Sequence, residues 1–218
     1  MKTSIILVAS MLVVLAAGIG IGWGFQTTVL PMGSVTTTTS QSQGPAALTL
    51  VITTGNVYNS TAGAQPAYYV LTPKGLESSA NIALPANTLI KLTIICYDDG
   101  NATLLDPQYA NVEGTVNGTM TYVNNSNVNS TEGPNGIVLN GGQTVTSVPT
   151  AMIAHTFTIP SLNINIPVPL SSTVVAYIKI SSAGTYAWFC DSTCGAGPAG
   201  TWGAMDTPGW MTGNIEAS

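Results

Sequence analysis

Beyond residue 25 the chain is a series of short β-branched and aromatic runs separated by turn residues, and few folds accommodate that pattern. The runs are ALTLVITT at 47–54, AYYVLT at 67–72, TLIKLTIICY at 88–97, AMIAHTFTI at 151–159, LNINI at 162–166, STVVAYIKI at 172–180 and TYAWFC at 185–190. No stretch past residue 25 keeps apolar residues at a helical period, so the expected class is all-β, a sandwich or barrel. Gly184 marks a hairpin turn that delivers the last aromatic run to Cys190.

The exception lies at the N-terminus. From Ile5 to Phe25 the chain runs 21 residues with Ser10 as the only clearly polar one, enough at ~1.5 Å per residue to cross a ~30 Å hydrocarbon layer. Residues 1–25 are therefore expected to be a single-pass transmembrane anchor. Lys2, the only charge before it, places the N-terminus in the cytoplasm and the remainder outside the cell membrane. The competing reading is a cleaved signal peptide, with Leu15, Ala16 and Ala17 as its small-residue cleavage region. The spaced pairs Gly18/Gly22 and Gly20/Gly24 would let another membrane helix approach closely. Residues 26–46 are rich in Ser, Thr and Gln and are expected to be a polar tether or a peripheral strand. Residues 47–218 are of the length of one domain.

Only 6% of residues are charged, there is no Arg, and the basic residues are Lys2, Lys74, Lys91 and Lys179. Nucleic-acid binding has no electrostatic footing in such a chain. A surface this poor in ionisable groups suits an acidic exterior, because hydroxyls and amides do not change as carboxylates protonate. Between 98 and 150 lies an Asn- and Gly-rich stretch with sequons at Asn101, Asn117, Asn124 and Asn129, and Asn59 adds a fifth upstream. It is expected to be an exposed, glycosylated flap with little apolar surface to bury.

One histidine and three cysteines restrict the chemistry. No Gly-x-Ser-x-Gly elbow, phosphate-binding loop or dinucleotide fingerprint is present. What remains is His155 in AHTFTIP and the segment TYAWFCDSTCGAGPAGTWG at 185–203, with three residues between Cys190 and Cys194. These pieces resemble subunit II of haem-copper terminal oxidases, in the single-helix form of archaeal quinol oxidases. In that family a His-x-Phe strand and a Cys-x3-Cys-x3-His-x2-Met loop hold the binuclear CuA centre. The resemblance covers about residues 151–203 and implies a cupredoxin-like Greek-key β-sandwich outside the membrane. Its implied partners are subunit I with its haem and copper, other membrane subunits, lipid and a nearby quinol. A weaker resemblance is to sulfocyanin, a tethered blue-copper carrier.

The loop departs from the family where it matters. Pro198 stands at the place of the second histidine and Thr201 at that of the methionine, and there is no other histidine to recruit. Proline has no side-chain donor, and a hydroxyl is a hard partner for copper beside thiolates. The expected consequence is an incomplete CuA site, with no cofactor held by this subunit and electrons entering subunit I from quinol. Copper on His155, Cys190 and Cys194, with Met205 as a spare thioether and the Ser192 carbonyl as a further oxygen, is the alternative. A structural disulfide between Cys190 and Cys194, or a relict pair, with His155 as a satisfied core histidine, is another. Cys96 is expected to be a buried thiol, and Trp188, Trp202 and Trp210 to be packing or an electron path. Asp191 and Asp206 are expected to be solvated. A glycosylated cell-surface or filament β-protein is a third reading of the whole chain.

Overall fold

The computed structural model describes residues 44–55, 65–130, 137–139, 141–194 and 203–218. The anchor at 1–25, nearly all of the tether at 26–46, and Asn59 lie outside them. Among the described residues no helix is long and apolar enough to cross a membrane.

The β-rich reading holds: fourteen strands build two mixed sheets and a small hairpin, with only 3-10 turns as helix among the described residues. The strands are β1 (Ala46–Thr53), β2 (Ala67–Thr72), β3 (Gly75–Ser78), β4 (Asn81–Leu84), β5 (Leu89–Cys96), β6 (Met120–Asn124) and β7 (Val128–Ser130). They continue as β8 (Ile137–Leu139), β9 (Gln143–Val145), β10 (Ile153–Ile159), β11 (Ile164–Pro169), β12 (Ser172–Lys179), β13 (Gly184–Phe189) and β14 (Thr212–Ala217). One sheet runs β3-β2-β1-β5-β12-β6-β9 and the other β11-β10-β13-β14-β4. β1 lies parallel to β5, and β14 parallel to β4. The remaining pairs are antiparallel, including the β7–β8 hairpin.

The two inner faces share one core. Leu50, Ile52, Ile90, Leu92, Ile94, Val174, Ala176 and Ile178 from the first sheet meet Phe157, Ile159, Ile166, Val168, Trp188 and Ile215 from the second. Alternation places them, as in β14, where Gly213, Ile215 and Ala217 point in and Asn214 and Glu216 point out. Burial of each large aliphatic or aromatic side chain stabilises by roughly 1.5–3 kcal/mol.

The stretch 98–150 is not set apart from the sandwich, contrary to the flap expectation. β6 pairs with β12 and β9 with β6, so both belong to the larger sheet. Ala110, Val112, Met120, Val123 and Val148 are buried. Few apolar residues suffice because Ala110, Val112, Met120 and Val148 join the core and Val123 is buried on the other face of β6, which average composition does not reveal. Residues 109–113 run along the outer face of β11, where Glu113 bridges Asn165, and β10 and β11 are buried on both faces. Asn165 on β11 fastens this cover by donating to the carbonyls of Tyr109 and Asn111. Asn101, Asn117 and Asn124 are exposed, and Asn129 lies on β7.

At the base of the core Trp188 sits opposite Gly213 and donates its indole N–H to the Ser79 carbonyl at 3.2 Å. A Cβ on Gly213 would come within 2.6 Å of both the indole nitrogen and that carbonyl oxygen. Gly213→Ala should therefore destabilise by about 1–3 kcal/mol through overpacking. Gly55→Ala, with nothing within 4 Å of the added methyl, should be neutral or slightly stabilising. Urea unfolding of the two variants checks the contrast.

Candidate metal centre

The site forms where the pairing of β10 with β13 gives out. The two strands share one ladder position, Thr158 with Phe189. Past it, side chains take over the hydrogen bonds that a ladder would make. The Asp191 N–H donates to the Thr156 hydroxyl at 2.7 Å, the Thr156 N–H points at the Cys190 sulfur at 3.4 Å, and the Ser192 hydroxyl donates to the Ala154 carbonyl at 3.3 Å. A register shift in β10 between Ile153 and His155 re-aims the strand at the same place.

His155, Cys190 and Cys194 come together here, their donor atoms all within 4.8 Å of one another. His155 Nδ1 lies 2.8 Å from Cys194 Sγ and 3.8 Å from Cys190 Sγ, and the two sulfurs are 3.3 Å apart. No disulfide joins the two sulfurs, so the disulfide reading is not met. The Ser192 hydroxyl stands 3.1 Å and 2.9 Å from them. The Ser192 carbonyl, the oxygen expected from the sequence, accepts the Cys194 N–H at 2.7 Å.

The sequence-based reading did not identify Asp98, whose Oδ2 accepts from His155 Nε2 at 3.1 Å. His155 is 1% exposed and Asp98 17%. Residues 102–105 then clamp the cysteine loop, with Thr193 N–H on the Thr103 carbonyl and Leu105 N–H on the Asp191 carbonyl, each at 2.9 Å. The one available signal was Asp98 itself, an acidic residue close to Cys96 in a chain with only nine carboxylates.

The electrostatics follow from these contacts. Burial alone would lower the His155 pKa, but Asp98 and Cys190 outweigh it and raise it to about 9. Burial would likewise raise Cys190, yet hydrogen bonds from Cys194 and His155 pull it well below the usual thiol value. The adjoining Cys190 thiolate, with burial, pushes Cys194 up. The hydrogen bond from His155 lowers Asp98. These contacts favour charge on Asp98, His155 and Cys190 and keep the proton on Cys194, and a metal ion binding here would displace protons.

Cys96 is a buried thiol, pushed up to about 12 chiefly by burial. Trp188 is buried, stacked on Phe157 and edge-on to Tyr68, whose ring also meets His155 at 6.2 Å. Trp210 is partly buried against the core, while Trp202, Pro198 and Thr201 lie outside the described residues. Met205 lines a cavity of about 300 Å³ with Leu105, Phe189, Cys190, Asp191, Thr193 and Asp206. Asp206 is exposed. Asp191 is not solvated as expected: the clamp over its loop leaves its Oδ2 buried with no hydrogen-bond partner.

Two thiolates and a δ-nitrogen suit a soft ion such as copper, and the ε-nitrogen's carboxylate partner is the usual support for a metal-binding histidine. A copper pair does not fit, because the chain has no second imidazole for the other ion.

No family model matches this chain, and no curated protein does. Among solved structures it is similar to rusticyanin from Thiobacillus ferrooxidans, at 13% identity and a TM-score of 0.33, over 81% of this chain and 79% of that one. It is similar to auracyanin B at 11% identity and a TM-score of 0.28, over 81% and 92% of the two chains. A third is a blue copper oxidase from Nitrosomonas europaea, at 9% identity and a TM-score of 0.30, over 79% of this chain and 43% of that one. The chain thus spans less than half the length of that oxidase. At scores this low the likenesses carry no argument about fold or chemistry.

Burial raises the Asp191 pKa, with Thr158 offsetting part of the effect. A carboxyl whose folded pKa stands above its unfolded value costs stability above the folded pKa, and that cost disappears as the pH falls below the unfolded value. Asp191→Asn should therefore raise the thermal midpoint at pH 7 and leave it unchanged near pH 3, as followed by circular dichroism.

Proposed function

We propose that this chain is a membrane-tethered, extracytoplasmic copper protein of the cupredoxin type that carries single electrons, with one copper held by His155, Cys190 and Cys194. The observation that carries this is the buried convergence of those three donors within 4.8 Å, with the histidine δ-nitrogen turned toward both sulfurs. A structural role for the cysteines would not need an imidazole beside both sulfurs and a carboxylate behind it. The strand order supports the reading, since β10 supplies the histidine and the connection from β13 to β14 supplies both cysteines.

Copper bound there supplies a one-electron couple. The chain's own residues do the rest. Cys190 and Cys194 offer soft thiolate donors, and the Thr156 N–H pointed at Cys190 draws charge from one of them. His155 is fixed by Asp98 on one side and by the Tyr68 ring on the other. The clamp at 102–105 keeps the cysteine loop closed over the site, and the cavity at Leu105, Phe189 and Met205 is the approach to Cys190.

A second reading is subunit II of a quinol-fed haem-copper terminal oxidase. It is favoured by His155-x-Phe157 and Cys190-x3-Cys194 standing at that family's spacing. In that reading the oxygen chemistry belongs to the haem and copper of subunit I, and this domain docks and supports it. Copurification of the native chain with haem-bearing membrane proteins selects this reading, whereas a coloured protein isolated alone selects the carrier.

Loading the reduced full-length chain with copper should give one copper per chain, a sulfur-to-copper charge-transfer band and the paramagnetic hyperfine pattern of a single copper nucleus. The pattern of two equivalent coppers would overturn the mononuclear site, and failure to retain copper against zinc would overturn the copper assignment. Pro198→His with Thr201→Met adds the missing donors at the family's spacing and should move the spectrum toward a copper pair.

A further inference from the structure

We propose that the Asp98 carboxylate sets the oxidation-state preference of the metal held by His155, Cys190 and Cys194, biasing it toward the higher-valent ion; this rests on the copper reading above. The chain's single histidine spends its two nitrogens on opposite tasks. Nδ1 faces the sulfurs, and Nε2 is taken by Asp98 Oδ2 at 3.1 Å. With His155 only 1% exposed, water does not compete for that nitrogen.

A carboxylate on the distal nitrogen orients the ring and makes the imidazole a stronger donor to a bound metal. Its charge also lies close to the ligand in partly buried surroundings, where the field is less screened than in water. Both effects favour the more positive ion of a redox pair. The two sulfurs do not share this bias, since soft thiolates also bind the lower-valent ion well.

Asp98 is itself held in place. Its Oδ1 accepts the Gly100 N–H at 2.8 Å, its carbonyl accepts the Ser171 N–H at 2.8 Å, and the Cys96 thiol points at the same carbonyl at 3.6 Å. The carboxylate therefore comes from a braced turn between β5 and the clamp, not from a free surface side chain. Positioning of the ring and electrostatic bias are separable by substitution, because an amide keeps the acceptor and removes the charge.

The test compares the full-length wild type with Asp98→Asn, measuring affinity for Cu(II) and for Cu(I) separately by competition with chelators of known strength. Asp98→Asn should weaken Cu(II) binding about 10- to 100-fold and Cu(I) binding much less. A tenfold change in their ratio corresponds to a rise of about 59 mV in the one-electron potential, which voltammetry reads independently. Asp98→Glu, which keeps the charge, should return the ratio toward the wild type. Asp98→Ser, a smaller neutral acceptor, carries the same comparison if the amide variant does not fold. An unchanged ratio, or equal losses for both ions, would overturn the proposal while leaving the copper reading in place. No copper on the wild type would overturn both.

Discussion

An imidazole and two sulfurs lie in the interior of this sandwich, where each polar group left without a partner costs about 1–3 kcal/mol. The architecture around them supplies those partners. The ladder between β10 and β13 stops after one position, and Thr156, Asp191, Ser192 and Ala154 make substitute hydrogen bonds through hydroxyls and sulfur. The segment that follows β5 completes the set with Asp98 on the histidine and residues 102–105 on the cysteine loop. Without that cover, the outer face of β10 and β11 and the far nitrogen of His155 would face water.

Below the donors, Tyr68, Phe157 and Trp188 form a packed aromatic floor with ring centroids 5.1 to 6.1 Å apart. Tyr68 donates its hydroxyl to the Thr156 carbonyl and Trp188 its indole N–H to Ser79, so neither ring carries an unpaired polar atom into the core. Such contacts add about 0.5–1.5 kcal/mol each beyond area burial. The strand that carries His155 is locked from below by aromatic packing and from above by a clamped loop, which leaves it little freedom to rearrange. Under the proposed function, that rigidity would hold the donors in one geometry in both oxidation states of a bound metal.

The strands that carry most of the core were legible because seven of them are continuous β-branched runs. β3, β4 and β14 were not, since GLES, NIAL and TGNIEA are short and bury one face at most. β6 and β9 were hidden by their setting: Met120 is an inward residue and Val123 is buried on the opposite face, inside a stretch whose overall composition reads as loop. At the site, the spacing of His155, Cys190 and Cys194 was readable because those residue types are rare in this chain. Asp98 was not, because it lies 57 positions from His155 and only the path of the fold brings the two together. The fate of Asp191 was hidden for the same reason, since the clamp that buries it comes from residues 103–105.

The claim on which the account stands is that one metal ion sits among His155, Cys190 and Cys194. X-ray absorption at the copper edge, on the copper-loaded full-length chain, tests it most directly. The account predicts one imidazole nitrogen and two sulfur scatterers bound to copper, with no copper neighbour. A single sulfur, or a copper-to-copper vector, would contradict it.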